Sequence, residues 1–227
     1  MNIEDLKLGE QVKIDLFLKE YEGIPEFVSL RTFVEENAFG FGEKQFYPMH
    51  KLLVEELGDD ISFLEIGVFR GQTLVLYGLL RELCSKNIEI IGITPLDSTD
   101  GHWESDYEFD IKYIHDKFKL PQPTIIKGLS TDPDVIKKAT AVDILYIDGG
   151  HTKEVVTSDI ENYSGLVKKG GFLVIDDSAN NIPGTINGYF WGIQAVSDVV
   201  DELLPNTENN EWEYLGNIIH NRVWKRK

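Results

Sequence analysis

The stretch Ser62-Phe63-Leu64-Glu65-Ile66-Gly67-Val68-Phe69-Arg70-Gly71-Gln72-Thr73 decides the fold of this chain. Residues 63–66 are an apolar run that predicts a short buried strand, and Gly67 allows a sharp turn where a side chain would clash. Gly71 stands where the next helix begins, and residues 74–80 predict that this helix is largely covered. In open α/β sheets, a helix N-terminus beyond a strand end is a ligand site. We therefore expect a ligand at this turn.

The spacing Glu65-x-Gly67-x-x-x-Gly71 distinguishes this turn from a dinucleotide site. A dinucleotide site uses G-x-G-x-x-G to place a diphosphate on the helix N-terminus, and the Glu65 carboxylate would repel that diphosphate. The carboxylate suits a ligand that carries positive charge near its ribose. The alternative is an ordinary strand–turn–helix unit with two glycines. The stretch resembles motif I of the class I S-adenosylmethionine-dependent methyltransferases. That resemblance implies a cofactor site with the following residues: Glu65, Gly67, Val68, Gly71 and Thr73.

Length and composition indicate one globular α/β domain. The 227 residues are 42% hydrophobic and 11% aromatic, which is typical of a packed core. We expect residues 1–57 to form a helical N-terminal cap and lid, and residues 58–227 to form a Rossmann-like core. The net charge of 22 − 39 = −17 disfavours nucleic acid and anionic membranes as partners. No secretory signal or membrane span is recognisable, and the single cysteine, Cys84, has no internal disulfide partner, so we expect a cytoplasmic protein.

The rest of the chain alternates between strand and helix patterns. Further strands are predicted at residues 88–93, 124–128, 142–148 and 172–175, and a final antiparallel hairpin near residues 213–217 and 222–225. Helices are predicted at residues 12–21, 27–37, 45–57, 111–118, 134–139, 154–167 and 193–204, with a pocket loop at 39–42 and a polar, acidic loop at 98–110. This rhythm predicts a Rossmann-like, doubly wound, mostly parallel seven-stranded sheet.

Acidic residues follow two of the predicted strands. Asp148 leaves the fourth strand, and Asp176 and Asp177 leave the fifth. Parallel strands end at one edge of a sheet, so the three carboxylates should converge and repel one another unless a cation binds. Oxygen ligands favour Mg²⁺ or Ca²⁺. His151 lies in the same loop as Asp148, and imidazole, with an ordinary pKa near ~6.5, can accept a proton at neutral pH. The alternatives are a turn, a strand-ending acidic pair and a helix-capping histidine.

Two further stretches make the resemblance more specific. Together with motif I, Tyr146-Ile147-Asp148-Gly149-Gly150-His151 and Gly170-Gly171-Phe172-Leu173-Val174-Ile175-Asp176-Asp177 resemble the macrocin O-methyltransferase-like group of metal-dependent sugar O-methyltransferases. The resemblance implies methyl transfer from S-adenosylmethionine to a hydroxyl of a sugar or glycan. It also implies that Asp148, Asp176 and Asp177 hold Mg²⁺ or another divalent ion, that His151 is the general base, and that Asp148 lies at both the catalytic and the cofactor site.

The second strand departs from the pattern of such methyltransferases. Many of them end this strand with an acid that binds the ribose hydroxyls, whereas Thr94 stands here. We expect Asp97 to contact the ribose from the following loop and Ser130 to lie at the adenine pocket. Three rival functions stay open at this point: a catechol-type small-molecule O-methyltransferase, a non-catalytic binding protein on the same fold, and, more weakly, a nicotinamide-dependent oxidoreductase. The sequence leaves open which acceptor is methylated and whether the chain forms a homo-oligomer.

Overall fold

The computed structural model describes residues 1–97, 105–204 and 211–227. Within these residues, seven strands form one sheet in the order β3-β2-β1-β4-β5-β7-β6. The strands are β1 Asp60–Ile66, β2 Asn87–Thr94, β3 Thr124–Lys127, β4 Val142–Ile147, β5 Val167–Ile175, β6 Trp212–Ile218 and β7 Asn221–Arg226. Strands β1 to β5 are parallel, and β7 is antiparallel to both β5 and β6. The predicted mostly parallel α/β sheet with its final hairpin is confirmed.

Eight α-helices connect and cover these strands in the described part of the chain. They are α1 Glu10–Glu22, α2 Pro25–Asn37, α3 Phe46–Glu55, α4 Gln72–Leu83, α5 Tyr107–Phe118, α6 Pro133–Ile136, α7 Lys153–Tyr163 and α8 Gln194–Leu203. None of the helices in the described ranges combines the length and apolarity needed to cross a bilayer.

The sheet is buried on both faces because side chains alternate along each strand. Phe63 pairs in register with Ile144, and both belong to the apolar core beneath the N-terminal helices. Leu64 pairs with Leu145, and both belong to a second core that includes residues of α7 and α8. Every residue of β1 after Asp60 is buried, so this strand reads as one continuous apolar run apart from Ser62 and Glu65.

Strand order fixes what lies beside the end of β5. Ile175 pairs with Ile147 of β4 on one side and with Arg222 of β7 on the other. Because β7 runs antiparallel to β5, the start of β7 lies at the carboxyl edge of the parallel sheet. The two-residue turn before β7, Ile219 and His220, therefore reaches the same edge as the acidic residues that follow β4 and β5.

Several predicted boundaries differ from the observed ones. The helix predicted at residues 154–167 ends at Tyr163, and β5 begins at Val167, which pairs with Val142. Gly170 and Gly171, which lie between the predicted helix and the predicted strand, belong to β5 at an irregularity in its pairing with β4. A 3-10 turn at Ile3–Lys7 was not predicted. Of the predicted acidic loop at 98–110, residues 98–104 lie outside the described residues, and α5 begins at Tyr107.

Candidate active site

A cavity of about 540 Å³ lies at the carboxyl edge of the sheet. This volume is within the ~300–1,000 Å³ that is usual for small-molecule sites. The predicted site residues that line this central cavity are Glu65, Gly67, Val68, Thr73, Asp97, Ser130, Asp148, His151, Asp176 and Asp177. Residues of the N-terminal segment, including Phe39 and Phe41, form its other wall. The fold thus brings the residues of the glycine turn and the acidic strand ends into one space.

Gly67 allows β1 and β4 to end side by side. Its φ of +92° lies in the left-handed region, and a Cβ atom at this position would overlap the Asp148 carbonyl oxygen. The Gly67 amide donates to the Ile93 carbonyl at 3.0 Å, and the Asp148 amide donates to the Ile66 carbonyl at 2.8 Å. The backbone beyond the strand is therefore close-packed, as the sequence predicted for this glycine.

Glu65 is a buried acid whose side chain faces the cavity. Burial raises the pKa of Glu65 to about 8, although a hydrogen bond from Thr73 opposes this shift. Its Oε2 atom and Oε1 of Gln72, also on the cavity wall, are buried and have no hydrogen-bond partner in the described part of the chain. Buried acceptors without partners are costly. A ligand with a cationic donor, such as the ammonium group of S-adenosylmethionine, fits this environment.

Thr94 has a structural role at the end of β2. Its buried hydroxyl donates to the Val68 carbonyl at 3.1 Å and accepts from the Leu96 amide at 3.2 Å. Leu96 has a φ of +59°, and the turn that it makes leads to Asp97 on the cavity wall. Thr94 therefore fastens the glycine turn to β2, and contact between Asp97 and a ribose stays a prediction.

Two more of the residues predicted to bind the cofactor, Ser130 and Gly71, lie in different surroundings. Ser130 lines the cavity next to Leu129 and Thr131, and its carbonyl accepts a hydrogen bond from Tyr163 at 2.8 Å. Gly71 is not among the lining residues in the described ranges. Its φ of +92° starts α4, and a Cβ atom would lie 3.2 Å from Ile111 of α5. Gly71 therefore allows α5 to pack closely, and its contact with a ligand stays a prediction.

The acidic residues at the ends of β4 and β5 form one cluster. Asp148 and Asp176 are close enough for each carboxyl group to shift the pKa of the other. Burial, together with the negative charges of Asp176 and Asp177, raises the pKa of Asp148 well above its ordinary value. A raised pKa favours the neutral form of Asp148, which lowers the negative charge of the cluster.

His220, which sequence reasoning missed, completes the cluster. Its Nδ1 atom lies 2.9 Å from Oδ1 of Asp177 and 3.7 Å from Oδ1 of Asp176. Burial alone would lower the pKa of His220, but the charge of Asp176 and the hydrogen bond to Asp177 outweigh burial and raise it. Asn221 donates to Asp176 at 2.7 Å. The sequence could have indicated this residue, because His220 directly precedes the second strand of the predicted hairpin, β7, which pairs antiparallel with β5.

Protein groups offset part of the repulsion that the sequence suggested. His220 contacts Asp177 and Asn221 donates to Asp176, two of the carboxylates that we had expected to bind a cation. Metal binding remains compatible with the donor set, since potential ligand atoms of Asp176, Asp177 and His220 lie within 4.8 Å of one another. This set differs from the predicted one by including an imidazole, while Asp148 is linked to it through Asp176.

His151 lies at the exposed side of the same cluster. Its Nε2 atom is 3.3 Å from Oδ2 of Asp177, and 41% of its side chain is exposed. The helix that follows is capped by Thr152, whose hydroxyl accepts from the Val155 amide, so the alternative of a capping role for His151 is wrong. If Nε2–H faces Asp177, Nδ1 is the nitrogen that can take a proton from a bound molecule.

Comparisons with known proteins bear on the family and the fold of this chain. The family model described as a methyltransferase domain matches residues 64–178, about half of the chain. Protein R132 of Acanthamoeba polyphaga mimivirus, named as uncharacterised, is 29% identical over 82% of this chain and 86% of its own length. The structure of a candidate caffeoyl-CoA O-methyltransferase from Staphylococcus aureus is similar, with a TM-score of 0.63, 16% identity and coverage of 96% and 98% of the two chains. CalS11, a TDP-rhamnose 3'-O-methyltransferase of calicheamicin biosynthesis, gives a TM-score of 0.57, 14% identity and 85% coverage of each chain.

Proposed function

The chain belongs to the methyltransferase domain family, and we propose that it is an S-adenosylmethionine-dependent O-methyltransferase that acts on a hydroxyl of a sugar or glycan. The observation that carries the proposal is the position of the acid–histidine cluster. Asp148, Asp177 and His151 line the same cavity as the Glu65 turn. A hydroxyl is a poor nucleophile until it loses its proton, and a general base beside the methyl donor meets that need.

The cofactor supplies a sulfonium methyl group when bound. Glu65 accepts hydrogen bonds from its ammonium group, the Gly67 turn lets it approach the backbone, and Asp97 and Ser130 hold its ribose and adenine. These roles are supported by the orphaned Oε2 atom of Glu65 and by the positions of the other residues on the cavity wall.

His151 takes the proton of the acceptor hydroxyl at Nδ1, and Asp177 orients its ring through Nε2. The 3.3 Å separation between Asp177 and His151 supports this assignment. The acceptor oxygen must lie within about 3–3.5 Å of the methyl carbon for efficient transfer. The cap segment, which we define as residues 38–42, supplies the opposite wall of the cavity.

A divalent ion fits the cluster when it is held by Asp176, Asp177 and His220. Such an ion would lower the pKa of an acceptor hydroxyl. Because imidazole suits transition metals better than Mg²⁺, this donor set favours Mn²⁺ or Fe²⁺ over the Mg²⁺ that the sequence suggested. Titration of chelator-treated protein with Mn²⁺, followed by electron paramagnetic resonance, should give one tight site that Asp177→Asn removes and Asp134→Asn, an exposed control, leaves intact. Equal binding in all three proteins would exclude this site.

A flat aromatic acceptor is the second candidate. The rings of Phe41 and Phe190 line the cavity and are 61% and 52% exposed, so they can cover the face of either a sugar or an aromatic ring. Transfer of labelled methyl groups to a panel of sugar nucleotides, glycosides and catechols separates the two. We expect turnover with a sugar acceptor and a 10²–10⁴-fold lower kcat in His151→Ala, about the usual contribution of a general base. Turnover with catechols alone would favour the aromatic class, and no turnover with any acceptor would favour a binding protein.

A further inference from the structure

Arg70 lies in the glycine turn between Gly67 and Gly71, and its side chain contacts the end of α2 instead of lining the central cavity. Its Nη1 atom donates to the carbonyls of Asn37 at 3.0 Å and Ala38 at 2.8 Å. Its Nε atom donates to Oδ2 of Asp110 at 2.7 Å, and its guanidinium lies 4.1 Å from the centre of the Phe39 ring. One side chain therefore joins three segments: the glycine turn at residues 67–71, which is the cofactor turn of the proposed function, the end of α2 and the start of α5.

The end of α2 supplies carbonyl groups that need a partner. Ala38 leaves the helix in the left-handed region with a φ of +54°, and the last carbonyls of a helix have no partner within it. A cation at a helix C-terminus is favourable. The planar guanidinium can bond two carbonyls and a carboxylate at once, which an ammonium group cannot do with the same geometry.

The cap segment that Arg70 anchors is a wall of the central cavity. Phe39, Gly40 and Phe41 line the cavity, and the Phe41 ring stacks on Phe69 of the glycine turn at 5.4 Å. A Cβ atom at Gly40 would overlap Oε1 of Gln72, so the cap backbone lies directly on the first turn of α4. The cap segment therefore contacts residues on either side of Arg70 in the sequence, namely Phe69 and Gln72.

We infer that Arg70 is a positioning residue that holds the cap segment against the cofactor turn, so that this turn also sets the position of the cavity wall that faces it. Loss of this clamp detaches the wall while the strands and the Glu65 carboxylate stay in place. The effect of this clamp on ligand binding rests on the proposed function, whereas its effect on the position of the cap segment is independent of that function.

Hydrogen exchange of the ligand-free protein tests the clamp by itself. In Arg70→Gln, amides of residues 38–42 should exchange about tenfold faster than in the parent, because local opening costs less free energy. Arg70→Lys should exchange at an intermediate rate, since lysine keeps the positive charge but lacks the planar guanidinium that bonds several acceptors at once. Lys112→Gln, an exposed change on the same helix as Asp110, is the control and should match the parent. Exchange within twofold of the parent in Arg70→Gln would overturn the inference.

Calorimetric binding of S-adenosylhomocysteine tests the consequence. Arg70→Gln should bind about tenfold more weakly, because only a fraction of molecules have the wall in place. Asp110→Asn, which keeps the arginine and removes the carboxylate that orients it, should change both readouts in the same direction and serves if Arg70→Gln does not fold. Weaker binding with unchanged cap exchange would overturn the inference by assigning Arg70 to the ligand itself. If the parent binds no S-adenosylhomocysteine, the proposed function is contradicted. Hydrogen exchange of residues 38–42 would still test whether Arg70 holds the cap segment.

Discussion

Cofactor binding should release a proton from Glu65. Because burial raises the pKa of this carboxyl to about 8, it is mostly protonated at pH 7 when the cavity holds no cation. An ammonium group beside Oε2 favours the ionised form, so binding should release close to one proton at pH 7. Raising the pH deprotonates Glu65 of the free protein and therefore strengthens binding, by nearly tenfold per unit between pH 6 and 7.

Calorimetry in buffers of different ionisation enthalpy measures that proton. The slope of observed enthalpy against buffer ionisation enthalpy gives the number of protons released when S-adenosylhomocysteine binds to metal-free protein. Glu65→Gln should remove most of the slope, whereas Glu89→Gln, an exposed acid on β2, should leave it unchanged. A slope near zero in the parent, or an equal slope in Glu65→Gln, would refute the assignment of Glu65 as the group that receives the ligand's positive charge.

Three further predictions follow from the same structure. Gly67→Ala should lower the free energy of unfolding by about 1–3 kcal/mol or more, because it forces a strained φ and a backbone overlap; urea unfolding measures this, and Gly165→Ala, which faces open space, should be nearly neutral. Burial lowers the pKa of His115 to about 4. The free energy of unfolding is therefore highest above pH ~6.5 and falls by about 1.4 kcal/mol per unit as the pH drops toward 4, because the unfolded chain takes up a proton that the folded protein does not. Urea unfolding at pH 7 and 4.5 should show a smaller loss of unfolding free energy in His115→Asn than in the parent. Asp97→Ala should weaken S-adenosylhomocysteine binding by about 1–3 kcal/mol in calorimetry, and an effect no larger than that of Asp134→Ala would place the ribose elsewhere.

The sequence by itself determined the fold class and the edge where the site lies. Alternating apolar strands and helices allow few arrangements other than a parallel sheet covered on both faces, because each element has to bury its apolar side. Acidic residues directly after two parallel strands must then meet at one edge. Asp148 and Asp176 do meet there, and Gly67 has the conformation that its place after a strand required.

Only the tertiary structure decided how that edge is completed and charged. His220 is 43 residues from Asp177 along the chain, and β7 carries it to the cluster because it pairs antiparallel with β5. Protonation of Glu65 and Asp148 depends on burial and on neighbouring charges, which exist only after packing. The same holds for Arg70, whose partners come from distant segments. Local sequence specifies which residues leave each strand, whereas long-range packing sets their partners, their dielectric surroundings and hence their charge.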